Sequence, residues 1–301
     1  MKNDAIFTQV LILFLIMSVG FIARKKNLLN NKLNSDLIQI LLNITLPASI
    51  IVSFHLRFSP ELLHNVLKIF YASVFVHLFS LIVGGILFFK YPDQDRKILW
   101  FIAIFSNTGF MGLPVLESVF GQMGVFYGSI YVAIFNIFVW TLGVAIFAGR
   151  RGLKIRNALT TPALIAVIIG FSLFLFSLEI PAPLFKACNL IGSMTTPLSM
   201  IVIGSILAEL KLGELLANFE VYYGTIVRLL IIPLTAAFLL QLFGLQHHLL
   251  KICITSTAMP AASMTAIFAE KYNGNTLLAS RLIFISTALS ILTIPLILVL
   301  I

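Results

Sequence analysis

The sequence predicts an all-α polytopic membrane protein: ten transmembrane helices in two inverted five-helix halves, with the fourth and ninth helices broken. Three observations carry that expectation. Of 301 residues, 60% are hydrophobic and only 10% charged, too little polar surface to cover a water-soluble globule. Charge-poor runs of about 20 residues, the length that crosses a bilayer, recur along the whole chain. Two of these runs are interrupted by glycine and proline, around Asn107 and again around Pro260.

The expected spans are 5–23, 33–54, 66–89, 98–120, 122–148, 162–178, 187–208, 221–243, 249–269 and 276–301. They leave almost no chain for a soluble domain. No basic stretch precedes the first span and no small-residue cleavage pattern follows it, so it reads as a retained helix rather than a signal peptide. Cys188 and Cys253 lie within apolar runs and suit packing better than disulfide or metal chemistry.

The net charge of +9 would suit a nucleic-acid partner if it gathered on one soluble face. Instead the basic residues recur in alternate loops. One side collects Arg24, Lys25, Lys26, Lys32, Lys90, Arg96, Lys97, Arg150, Arg151, Lys154, Arg156, Lys211 and Lys271; the other holds Lys2, Arg57, Lys68, Lys186 and Lys251. Positive charge favours the cytoplasmic side. The first set is therefore expected inside, both termini outside, and the surrounding partner is membrane lipid, with no nucleic acid.

A shift of 150 positions superposes Thr45-x-Pro47-x-Ser49 on Thr195-x-Pro197-x-Ser199, and Gly20-Phe21 on Gly170-Phe171. Five helices per half is an odd number, so the second copy enters from the opposite face. Residues 1–149 form the expected first repeat and 150–301 the inverted second, joined through the basic segment Arg150 to Arg156. Pro47 and Pro197 mark kinks, each freeing a carbonyl one turn earlier. Those kinks serve either the wall of a cavity or helix packing alone.

The stretch Ser106-Asn107-Thr108-Gly109-Phe110-Met111-Gly112-Leu113-Pro114 cannot continue a regular helix. Lipid offers no partners for the backbone groups so freed, so such a break is tolerated only where it lines a cavity or binds something. A helix restarting at Pro114, a residue suited to the first helical position, would point its positive end and unpaired N–H groups to mid-membrane, a site for a carboxylate. Thr257-Ala258-Met259-Pro260-Ala261-Ala262-Ser263 should do the same from the opposite direction. Asn107 can hold a substrate carboxylate or tie the two breaks together. Thr257 and Ser263 offer hydroxyls to a ligand or cap loose backbone.

Charged residues in the spans are costly and tend to face a cavity or a partner. Arg281, about two turns into the last span, either reaches an anionic substrate or snorkels to the headgroups; Arg228 is the weaker candidate of the two. Glu117 stands just past the first break, Asp36 in the expected first turn of the second span, and His77 mid-way along the third. No phosphate loop, metal-ligand spacing or nucleophile and base pair is present, so no cofactor, metal site or catalytic activity is expected.

Asn107-Thr108-x-x-x-Gly112-x-Pro114, Met259-Pro260 with Phe268-Ala269-Glu270-Lys271-Tyr272, and Ser286-Thr287-Ala288-Leu289-Ser290 with Thr293-Ile294-Pro295 resemble the auxin efflux carrier family. These are the PIN-like transporters of plants and their bacterial relatives of the malate or malonate permease type. The resemblance covers essentially the whole chain. It implies a five-plus-five inverted repeat of the NhaA and bile-acid-symporter type, with helices four and nine crossed at their breaks. It also implies a scaffold and a transport domain, elevator-like movement of small organic anions (malate, malonate or auxin-like acids), and a homodimer. Asn107 matches the family asparagine at the first break, and Pro114 and Pro260 its crossover prolines. The long cytoplasmic loop of plant members is reduced here to residues 149–161, and Arg281 replaces a commonly uncharged residue.

The expected substrate-binding set is Asn107, Thr108, Gly112, Pro114, Thr257, Pro260, Ser263 and Arg281, in a secondary transporter whose coupling ion, proton or sodium, is left open. Two other readings stand beside it. One is a sodium-coupled symporter of the bile-acid type, with sodium at the crossover. The other is a ligand-binding membrane receptor or channel.

Overall fold

The computed structural model describes residues 3–148, 159–208 and 218–301; Lys2, the basic segment Arg150 to Arg156 and Lys211 lie outside the described residues. The regular elements are all helical. In chain order they are α1 (Asn3–Lys25), α2 (Asn31–Ser53), α3 (Pro60–Leu87), α4 (Asp93–Ile104), α5 (Thr108–Ala148), α6 (Pro162–Leu175), α7 (Ala182–Leu207), α8 (Phe219–Leu242), α9 (His247–Thr257), α10 (Met264–Lys271) and α11 (Thr276–Leu300). Among the described residues six of these, α2, α3, α5, α7, α8 and α11, are long and apolar enough to cross a membrane. The chain is an all-α polytopic membrane protein.

Proline shapes these helices in a recurring way. Wide, π-helical turns occur at Leu41–Thr45 in α2, Thr108–Gly112 in α5 and Val227–Ile231 in α8, each followed at the second residue by a proline, Pro47, Pro114 and Pro233, while a further one at Val139–Gly143 in α5 has no such proline. A proline has no N–H for the carbonyl four residues back, and its ring collides with that carbonyl. Widening the preceding turn removes the collision without ending the helix. Gly121 interrupts α5 differently, at φ +62°, a conformation glycine reaches without strain. It falls between the expected fourth and fifth spans.

The chain forms two compact units, each drawing on both sequence halves: Met1–Leu67, Gly109–Ala133 and Leu159–Leu210 make the first, and Lys68–Thr108, Ile134–Ala158 and Lys211–Ile301 the second. In the first unit α1 and α7 lie backbone against backbone. A Cβ added at Gly20 would fall 2.0 Å from the Ile201 carbonyl oxygen, and one at Gly204 only 1.8 Å from that of Met17. Such small-residue contacts are how helices associate where lipid removes the hydrophobic drive. Buried Asn34 donates to Ser205 (2.7 Å), joining α2 to α7. The cap of α2 is Asn30, which accepts from the Leu33 amide (2.8 Å). Asp36 therefore lies in the second turn, because the helix begins at Asn31, earlier than its apolar run.

In the second unit Phe88, Phe101, Phe105, Phe147 and Phe268 anchor one apolar core, and the Trp100 indole donates to the Leu81 carbonyl (2.8 Å). At the entrance to α4, Lys97 and Arg96 pair with Asp93 at 2.6 and 2.5 Å; chiefly through the Lys97 hydrogen bond, they hold its carboxyl below the usual range. Asn275 caps α11, accepting from the Leu278 amide (3.0 Å), while its own amide donates to Asp95 (2.8 Å). Asn275→Ala removes both contacts and is expected to cost about 1 kcal/mol for the cap alone. Thermal unfolding in detergent micelles measures it, and an unchanged melting temperature would show that this tie contributes nothing.

Candidate functional site

The start of the first broken stretch, as far as Thr108, and the whole of the second belong to the second unit, and there they meet. After α4 ends at Ile104 the chain becomes extended at Phe105 (φ −106°, ψ 107°). Ser106 pairs antiparallel with Ala261 in an isolated bridge. The Asn107 amide donates to the Pro260 carbonyl (2.7 Å), and the Ala262 amide to the Phe105 carbonyl (3.1 Å). Backbone groups released by breaking a helix away from water need such partners. Pro260 fits its place because it has no N–H to satisfy and contributes only its carbonyl.

Side chains complete the accounting. Ser106 Oγ donates to the Ser256 carbonyl (2.9 Å), and Thr108 Oγ1 lies 2.7 Å from Ser106 Oγ and 3.4 Å from the same carbonyl. The Ala261 amide donates to Ser286 Oγ of α11 (3.1 Å). Asn107 Nδ2 reaches Ser263 Oγ at 3.5 Å, a long bond joining the two breaks directly. Thr257 donates its hydroxyl to Cys253 within its own helix (2.8 Å). Asn107, Thr108, Thr257 and Pro260 are buried, and Ser263 is half-buried.

Five of the eight expected residues, Asn107, Thr108, Thr257, Pro260 and Ser263, are thus brought together. Gly112 and Pro114 follow along α5 in the first unit. The helical path resumes at Thr108, well before Pro114, which corrects the expectation that Pro114 starts the second half-helix; the wide turn lets the chain coil ahead of its proline. A Cβ added at Gly109 would meet nothing within 4 Å, so the opening turn of α5 borders free space. Arg281 is half-buried in the second turn of α11, its Nε buried without a hydrogen-bond partner among the described residues. His77 donates from Nδ1 to the Ser73 carbonyl (2.7 Å) and packs beside the rings of Phe105 and Phe138. Glu117, in the first unit, accepts from Thr196 Oγ1 (2.6 Å) beside a small polar recess that also includes Ser49, Ser53 and Asn189.

The residue that sequence reasoning undervalued is Arg228. It is 1% exposed, and its guanidinium spans the crossover. Nη1 donates to the carbonyls of Ile102 (3.3 Å) and Ala103 (2.8 Å) at the end of α4, and Nη2 donates to the carbonyl of Thr257 at the end of α9. A planar guanidinium can serve two partners on different segments at once, which an ammonium cannot do with the same geometry. The signal available in the sequence was Pro233. It widens the turn that carries Arg228, and π-helical turns are frequent at functional sites.

Comparison with known proteins places this arrangement. The model of a family described as membrane transport protein matches residues 5–155 and 152–298. The uncharacterized transporter MJ1031 of Methanocaldococcus jannaschii is 27% identical, over 95% of this chain and 96% of its own length. An uncharacterized transporter of Methanothermobacter thermautotrophicus is 25% identical over 95% of each chain. The uncharacterized transporter YfdV of Escherichia coli K12 is 26% identical over 96% of this chain and 95% of its own. A match running nearly from end to end, in a chain whose two broken helices are joined within apolar surroundings, makes this membrane protein a member of the membrane transport protein family of auxin efflux carriers.

Proposed function

We propose that the protein is a secondary transporter that carries small organic anions, carboxylates above all, across the cytoplasmic membrane. The observation that carries this reading is the joined pair of helix breaks, with Asn107 and Ser263 at its polar edge. Discontinuous helices in transporters bind substrate where half-helix ends point inward. The first turn of α10, which opens at Ser263, offers the positive end of its dipole and N–H groups with no carbonyl partner in their own helix, of which the Thr265 amide is already held by the Ala262 carbonyl (2.9 Å). A carboxylate suits both. The 3.5 Å bond from Asn107 to Ser263 is long for a hydrogen bond, so a carboxylate oxygen can displace it at small cost and accept from both side chains.

In this reading ten helices cross the bilayer as an inverted five-plus-five repeat. The unit that holds the crossover moves with its anion in an elevator-type displacement, while α1, α2, α6 and α7 supply the scaffold and a homodimer face. The compact division of the chain keeps those four helices together, in one unit with Gly109–Ala133 of α5, and their grouping supports the scaffold.

Asn107→Ala tests the site. Purified wild-type protein should gain melting temperature with increasing mono- or dicarboxylate, since a ligand that binds only the native state stabilises it by mass action. The variant should keep its ligand-free melting temperature and lose most of that gain, and in proteoliposomes most of its carboxylate uptake. Undiminished binding and uptake by Asn107→Ala would overturn this placement of the anion.

A further inference from the structure

Carriers built on discontinuous helices use unwound carbonyls and the C-terminal ends of half-helices to coordinate coupling cations. Each such end carries roughly half a negative charge and carbonyls that no residue further along the helix can satisfy. In this chain those positions are met by a side chain. Arg228 bonds to Ile102 and Ala103 at the end of α4 and to Thr257 at the end of α9. The neighbouring Ser256 carbonyl is taken by the hydroxyls of Ser106 and Thr108, and that of Ile254 by the Ala258 amide (2.7 Å). A carbonyl that faces a fixed guanidinium is a poor ligand for a second cation, because the two positive charges would repel at close range.

Taking the transporter reading above as its basis, we infer that Arg228 is the resident cation of the crossover. Its guanidinium neutralises both half-helix ends in the place where a sodium-coupled carrier would bind sodium, so the protein carries its anion without a co-bound alkali cation. The charge is covalently held and stays through every conformational state. Because an arginine does not lose its proton in proteins, the arrangement also holds across the physiological pH range. It further weighs against the sodium-coupled alternative for this chain, on grounds separate from the identity of the anion.

The test needs no carboxylate, so its outcome is independent of whether the proposed anion binds. Wild-type protein in detergent should melt at the same temperature in sodium chloride and in choline chloride of equal ionic strength. Arg228→Ala should melt roughly 5 °C or more lower, and guanidinium far below denaturing concentration, or sodium, should recover part of that loss while choline does not. A purely structural arginine would show the loss without cation-specific recovery. Sodium-specific stabilisation of the wild type would overturn the inference, as would an Arg228→Ala protein indifferent to guanidinium and sodium alike. Should Arg228→Ala fail to fold, the wild-type comparison decides alone, with Arg228→Lys expected to melt above Arg228→Gln because it keeps the charge. In proteoliposomes that transport a carboxylate, replacing sodium by choline should leave wild-type uptake unchanged, and strong sodium dependence would overturn the inference.

Discussion

Ala262→Pro should abolish carboxylate binding and lower stability by about 3 kcal/mol, the scale of a proline placed where its N–H is needed. The substitution removes the amide that donates to the Phe105 carbonyl (3.1 Å). It also sets a ring against that oxygen, which is left without its partner. Ala262 itself is 2% exposed, so the ring has no free volume to enter. Once one of the two bonds of the bridge fails, Asn107 and Ser263 no longer share a fixed frame, and the positioning that a carboxylate requires is lost with it. Ala262→Ser, which keeps the amide, serves as the control. Thermal unfolding and carboxylate-induced stabilisation together check the claim; a proline variant that binds like the wild type would show that the joined backbone is dispensable.

Gly204→Ala should damage the first unit almost as severely. The added carbon would stand 1.8 Å from the Met17 carbonyl oxygen, with the Phe21 backbone nitrogen at 3.0 Å, and neither atom can move unless α1 shifts as a whole. Separating two helices packed in this way costs about 1–3 kcal/mol or more by the usual scale of overpacking. Gly224→Ala offers the contrast. Its new carbon would meet the side-chain ends of Leu99 (2.8 Å) and Leu282 (3.0 Å), which can rotate aside. The melting temperature should therefore fall sharply for Gly204→Ala and little for Gly224→Ala; similar values for the two would show that α1 yields more readily than its backbone contact suggests.

Much of this was legible in the chain before its coordinates. The breaks around Asn107 and Pro260 followed from glycine and proline in runs that must otherwise be helical, and the tie between them through Asn107 was one of the two roles that an amide side chain allows. Less visible was the start of the second half-helix. Pro114 is suited to a first turn, yet the wide turn at Thr108–Gly112 carries the helix back to Thr108, and a proline that follows a wide turn reads in sequence the same as one that opens a helix. The cap at Asn30 lies ahead of the apolar run that marks the span at 33–54, because the helix starts before that run does.

Arg228 was hidden for a different reason. An isolated arginine in an apolar span reads equally as snorkelling or buried, and its partners here are carbonyls at Ile102, Ala103 and Thr257, groups that every residue possesses. No pattern of side chains could have announced them. Arg281, which sequence reasoning preferred, stands in the second turn of its helix, half-buried, where the choice between a ligand and the headgroups depends on its surroundings rather than its position in a span.

The wide turn at Val227–Ile231 acts as a phase adjuster for α8. It houses one residue beyond the ordinary complement, so everything after it is rotated by roughly 100° from where an unbroken coil would point. The face that α8 presents before the turn and the face it presents after it are set independently. A change that closed this turn to an ordinary α-turn without removing a residue would swing one face out of alignment with the other and take the guanidinium off its three oxygens, whereas deleting the extra residue would leave the two faces in register.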